Sequence, residues 1–142
     1  MNKVIRLLVV DDHPLFRRGL VSLLSQDSRF SVVGEAGDIG EAFRILSHQE
    51  PDVILLDNHL PGVKGVEAIV SLKQGHENLR ILMLTVSEDE DDVANALQNG
   101  ADGYLLKTSE SDQLCEAIVK VAEGQSVVSP EMMSKLVSAL RQ

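Results

Sequence analysis

Four short apolar runs, VIRLLVV (4–10), DVILL (52–56), RILMLTV (80–86) and DGYLL (102–106), each end near polar or small residues, and a weaker fifth, FSVVGEA, spans 30–36. None alternates strictly between apolar and polar positions. Continuous runs rich in Val, Ile and Leu read as strands covered on both faces, as in a parallel sheet. Between them lie stretches of helical spacing: Phe16, Leu20, Leu23 and Leu24; Ile39, Ala42, Phe43 and Leu46; Val66, Ile69, Val70 and Leu72; Val93, Ala94, Ala96 and Leu97; Leu114, Ile118, Val121 and Ala122. A strand–helix alternation repeated five times implies right-handed crossovers and a three-layer α/β sandwich.

Helix boundaries are marked locally. Asp38 with Glu41, and Ser87 with Glu90, both fit a capping box, and Gly100 fits a helix stop. After Gly124 a sixth helix is expected, with Ser129 as N-cap, Pro130 at the first helical position and an apolar stripe of Met133, Leu136, Val137 and Leu140. The five-unit core is complete by about residue 124, so this helix is an addition whose apolar face must cover something.

Composition narrows the class. A chain of 142 residues suits one domain with a single sizeable core. With three Phe, one Tyr and no Trp, that core must be aliphatic. A formal net charge of −9 opposes direct binding to a phosphate backbone. Cys115 is the only cysteine, which excludes an intrachain disulfide and reads as a structural thiol. No apolar run has the length of a membrane span, and the start, MNKVIRLLVVDD, is too short and acidic-flanked for a signal peptide. The expected location is cytoplasmic.

In open α/β sheets ligands bind outside the carboxyl ends of the strands. The first strand ends in Asp11 and Asp12, the third in Asp57, the fourth in Thr85 and the fifth in Lys107. Turn chemistry explains Asp57 alone and a helix cap explains Asp12 alone, but neither explains all five. Carboxylates at close range raise one another's pKa unless a cation is present. An oxygen-only donor set favours a hard cation such as Mg²⁺. A carboxylate can attack a phosphoryl group to form an aspartyl-phosphate, with Lys107 and Thr85 neutralising the equatorial oxygens. The residues thus describe a metal-assisted phosphoryl-acceptor site. The acidic run SEDEDD (87–92) reads as a charged helix start that suits the dipole, and His13 as a surface residue.

VVDDHP, LLDNHLPGVKG, LTVS and GADGYLLK, in this order and spacing, resemble the receiver domains of two-component response regulators, in particular the NarL/FixJ type and its nitrate/nitrite regulators. The resemblance implies a flavodoxin-like sheet order 2-1-3-4-5, of which receivers are a standard example. It implies that Asp57 is the phosphoacceptor for a sensor histidine kinase. Asp12, Asp57 and the backbone carbonyl of His59 would bind Mg²⁺, with Asp11 acting through water. Thr85 and Lys107 would contact the phosphoryl group, and Tyr104 matches the aromatic that reorients on activation.

It further implies a receiver over 1–124 and a linker helix over 125–142, leading to a LuxR-type helix-turn-helix output domain that lies outside this sequence. DNA would be bound only through that domain, and a homodimer is compatible with the family. The chain would catalyse only its own phosphorylation and dephosphorylation. The enzymatic alternative is an Asp-nucleophile phosphatase of the haloacid-dehalogenase type. Those enzymes begin with a DxD at the first strand, whereas the nucleophile candidate here follows the third, and 142 residues leave no room for a cap domain. Multiple turnover on small phosphoesters would favour this alternative. Departures from the pattern are Asn58, where an aliphatic residue is common, Leu60 for Met, and Thr108 for Pro. His59 admits two readings, an exposed loop residue contributing only its carbonyl, or an imidazole bordering the phosphoryl site, and the second is preferred.

Overall fold

The computed structural model describes residues 3–141. Strands β1 (Ile5–Val10), β2 (Phe30–Ala36), β3 (Val53–Leu56), β6 (Arg80–Thr85), β7 (Gly103–Leu106) and β8 (Val127–Val128) form one parallel sheet in the order β2-β1-β3-β6-β7-β8. A separate antiparallel hairpin, β4 (His59–Leu60) and β5 (Val63–Lys64), follows β3 and turns at Pro61-Gly62. Helices α1 (Pro14–Ser25) and α5 (Ser111–Ala122) cover one face of the sheet. Helices α2 (Ile39–Leu46), α3 (Gly65–Lys73) and α4 (Glu90–Gln98) cover the other.

Two aliphatic cores result, one on each side. Leu8, Val10, Ile54, Leu56, Ile81 and Met83 point towards α2, α3 and α4. Their neighbours Leu7, Val9, Val53, Leu55, Leu82 and Leu84 point towards α1 and α5. Successive side chains of a strand face opposite ways, so burial on both faces is what makes these runs continuously apolar.

The α/β sandwich matches the expected architecture, with one correction to the sheet. The expected five-strand order is extended by a sixth strand, β8, beside β7. Gly124, at φ 92°, reverses the chain after α5, and Gly103 makes room for the returning segment. A β-carbon on Gly103 would lie 2.6 Å from Leu82 Cδ1 and 2.8 Å from the Val127 carbonyl oxygen. The Val127 amide donates to the Asp102 carbonyl (3.1 Å) and the Ser129 amide to the Tyr104 carbonyl (3.0 Å).

The sixth helix, α6 (Pro130–Leu140), begins at Ser129 and Pro130 as expected, but the Ser129 hydroxyl caps nothing; it is buried without a hydrogen-bond partner. The apolar face is also displaced. Met132 is fully buried in the core beside α4 and Leu136 packs half-buried against it, while Met133, Val137 and Leu140 are 45%, 39% and 66% exposed. Apolar residues at 132, 133, 136, 137 and 140 cover a wide arc, and contact with α4 selects one margin of it.

Helix α4 starts at Glu90 with Asp89 as its cap, accepting from the Asp91 amide at 2.8 Å. Ser87 lies two residues ahead of that cap; its hydroxyl accepts from the Asp89 amide at 3.3 Å and donates to Asp92 Oδ2 at 2.6 Å. Helix α2 keeps half of its expected box. Asp38 accepts from the Glu41 amide at 2.8 Å, while the Glu41 carboxylate accepts from Gly37 rather than from Asp38. No described helix is long and apolar enough to cross a membrane.

Candidate functional site

The parallel register brings the five strand-end residues to one edge. The Asp11 amide donates to the Ala36 carbonyl (2.9 Å), the Asp57 amide to Val10 (3.0 Å) and the Lys107 amide to Thr85 (2.8 Å). Asp11, Asp57, Thr85 and Lys107 are therefore held by pairing with a neighbouring strand. Gly65 permits a close approach on the far side of Asp57, since a β-carbon there would run into the Asp57 carbonyl oxygen. Helix α3 can thus start directly behind the acidic residue.

Asp11 and Asp57 are buried, at 3% and 2% exposure, while Asp12 is exposed. Lys107 Nζ lies 2.7 Å from Asp11 Oδ2 and 3.2 Å from Asp57 Oδ2. The same ammonium sits 4.4 Å from the centroid of the Phe16 ring, whose negative face adds to its stabilisation. The edge thus gathers three carboxyl groups, Asp11, Asp12 and Asp57, and one ammonium, which touches two of them. Asp57 Oδ1 is buried and has no hydrogen-bond partner among the described residues. A buried carboxylate oxygen without a donor is costly.

Ligand atoms of Asp11, Asp12, His13 and Asp57 lie within 4.8 Å of one another. His13 is closer to this cluster than a plain surface reading suggests. Its amide donates to Asp11 Oδ1 at 2.8 Å, and Nδ1 lies 3.3 Å from Asp11 Oδ1 and 3.4 Å from Asp12 Oδ1. The oxygen-rich donor set, its excess negative charge and the orphaned Asp57 oxygen fit a hard divalent cation.

Thr85 is fully buried at the end of β6, and its Oγ1 accepts from the Ser87 amide at 3.2 Å. That bond leaves the Thr85 hydroxyl proton uncommitted. Tyr104 is also fully buried, and its hydroxyl donates to the Ser87 carbonyl at 3.1 Å. Burial pushes its phenol up to about 12, against the smaller downward pull of that hydrogen bond. His59 is exposed on the hairpin, paired across it with Lys64.

One set of contacts at this edge leaves no local pattern in the sequence. Asn58 is fully buried directly after Asp57. Its Oδ1 accepts from the Val66 amide at 3.0 Å, and its Nδ2 donates to Asp92 Oδ2 at 3.1 Å. The available signal was an amide in a position that the strand pattern marks as interior. Phe16 beneath Lys107 was visible only as one apolar residue of the α1 stripe.

The family model described as "Response regulator receiver domain" matches residues 7–119. The chain is 37% identical over 140 residues to the transcriptional regulatory protein DegU of Brevibacillus brevis, covering 99% of this chain and 59% of that protein. It is 38% identical over 135 residues to the nitrate/nitrite response regulator protein NarL of Escherichia coli (strain K12), covering 95% of this chain and 62% of that protein. The chain thus spans about three fifths of the length of these curated relatives. A crystal structure of a LuxR-family two-component response regulator from Aurantimonas sp. SI85-9A1 superposes with a TM-score of 0.91 at 32% identity, covering 99% of this chain and 100% of that one. With its parallel sheet, its acidic edge and these likenesses, the chain belongs to the response regulator receiver domain family.

Proposed function

We propose that Asp57 accepts a phosphoryl group from the phosphohistidine of a sensor kinase. The single observation that carries this is the buried, unbonded Oδ1 of Asp57, on a carboxylate whose other oxygen, Oδ2, lies 3.2 Å from the Lys107 ammonium. That oxygen attacks phosphorus, the oxygen–phosphorus bond forms, and the histidine nitrogen–phosphorus bond breaks. The leaving imidazole takes up a proton from solvent.

Asp11, Asp12, Asp57 and the His59 carbonyl would hold Mg²⁺, which when bound supplies charge neutralisation at the phosphoryl oxygens. Lys107 is already placed to exchange its contact with Asp57 Oδ2 for a new phosphoryl oxygen. The Thr85 hydroxyl, with its proton uncommitted, donates to another. Tyr104, whose hydroxyl donates to the Ser87 carbonyl while the Ser87 amide donates to Thr85, carries the change outwards.

The switch acts on a C-terminal DNA-binding output domain, to which residues 125–142 form the linker. In this reading the receiver over 1–124 works in the cytoplasm and controls transcription by shifting a two-state equilibrium. The test is intact-mass measurement after incubation with acetyl phosphate and Mg²⁺. Wild type is expected to gain one phosphoryl group and Asp57→Asn none. An unmodified wild type, or equal modification of both, would overturn the proposal.

A further inference from the structure

Ser87 is a junction. Its amide donates to Thr85 Oγ1 (3.2 Å), its carbonyl accepts from the Tyr104 hydroxyl (3.1 Å), and its own hydroxyl donates to Asp92 Oδ2 (2.6 Å). That Asp92 oxygen also accepts from Asn58 Nδ2. The Asp92 side chain is only 14% exposed, in the first turn of α4, and its other oxygen lies 3.7 Å from Lys64 Nζ. A carboxylate at that position is favoured by the helix dipole, and charge-assisted bonds to it are the stronger kind.

We propose that Asp92 is a positioning residue: with Asn58 it clamps Ser87, and through Ser87 it holds Tyr104 in its buried position without any phosphoryl group on Asp57. The segment after β3 is thereby tied to the β6–α4 loop by two routes. One runs from Asp57 through Thr85 and depends on phosphorylation. The other runs Asn58–Asp92–Ser87 and is made entirely of this chain's own side chains. Asn58 suits the second route because its carbonyl oxygen is fixed by the Val66 amide, which leaves the amide nitrogen aimed at Asp92. An aliphatic side chain at position 58 would provide no such donor. Because the second route is formed before phosphorylation, it raises the resting population of the docked arrangement. This rests on reading Asp57 as the phosphoacceptor only for its consequence in signalling.

The chain has one tyrosine and no tryptophan, so tyrosine fluorescence reports Tyr104 alone. The experiment is acrylamide quenching of the unphosphorylated protein. Asn58→Asp keeps the acceptor for Val66 but sets a carboxylate against Asp92, and like charges repel. It is expected to raise the quenching constant several-fold, as is Asp92→Ala. The exchanged pair Asn58→Asp/Asp92→Asn restores a donor facing an acceptor and is expected to return quenching to the wild-type value.

Unchanged quenching in both single variants would overturn the clamp. So would an exchanged pair as open as Asn58→Asp alone, because the side chains would then act only through general stability. Should Asn58→Asp fail to fold, as judged by circular dichroism, Asp92→Ala and the exchanged pair still decide the matter. No phosphoryl donor is present, so this outcome is independent of whether Asp57 accepts a phosphoryl group.

Discussion

The Ser129 amide donates to the Tyr104 carbonyl at 3.0 Å. The residue whose hydroxyl reaches Ser87 therefore also carries, on its backbone, the strand that leads into α6. A displacement of β7 at Tyr104 cannot leave β8 where it was unless this ladder breaks. The acidic edge and the C-terminal helix are in this way parts of one hydrogen-bonded assembly.

The docking of α6 through Met132 predicts unequal effects for two adjacent methionines. Met132→Ala should cost about 2–5 kcal/mol, the usual range for emptying a buried Met site. Met133→Ala should stay within about 0.5 kcal/mol, as for a surface change. Urea unfolding followed by circular dichroism checks both, and equal midpoints would refute the observed helix face.

Removing the ammonium from the acidic edge should favour an added cation. Lys107→Met leaves Asp11 and Asp57 without their close positive neighbour. Mg²⁺ should then bind about tenfold more tightly, or ~1.4 kcal/mol, although phosphoryl transfer to Asp57 should slow. Isothermal titration calorimetry measures the first effect, and the time course of intact mass measures the second. Weaker Mg²⁺ binding in Lys107→Met would show that the ammonium organises the carboxylates rather than competing at them.

Tyr104 should give the fold an alkaline limit. Its phenol is raised from 10.0 to about 12, chiefly by burial. The folded state therefore holds the proton more tightly than the unfolded chain does. The resulting stabilisation is complete below about pH 10 and is lost as pH rises from there through about 12. Urea midpoints measured across this window should fall more steeply in wild type than in Tyr104→Phe, which has no proton to lose at this position.

His59 is exposed beside the proposed acceptor. If its imidazole borders the phosphoryl group, His59→Ala should change the lifetime of phospho-Asp57 several-fold, measured as loss of the phosphorylated mass after removal of the donor. Identical lifetimes would restrict His59 to its backbone carbonyl.

The central strands were legible because burial on both faces leaves an unbroken apolar run, as in Val53–Leu56. The acidic edge was legible because Asp11, Asp57, Thr85 and Lys107 each terminate such a run. Strand β8 was not, because Val127 and Val128 are too few to show a period. The α6 face was misplaced because neighbouring methionines compete for one interior position, and only the α4 surface decides between them. Ser87 resembles a cap in sequence because its hydroxyl does accept a nearby amide, that of Asp89, but its bonds to Asp92 and to the Tyr104 hydroxyl depend on how the β6–α4 loop packs. Asn58 and Asp92 are 34 residues apart, beyond any local pattern.

The brevity of β8 has a consequence for how this molecule meets its neighbours. An open parallel sheet ends in strands whose unpaired amides and carbonyls invite another chain to add on. Here the last strand on the β7 side is only two residues long and runs at once into a helix. It satisfies the backbone of Gly103 and Tyr104 while presenting almost no ladder of its own, so this border of the sheet is blunted against strand addition and the aggregation that follows from it.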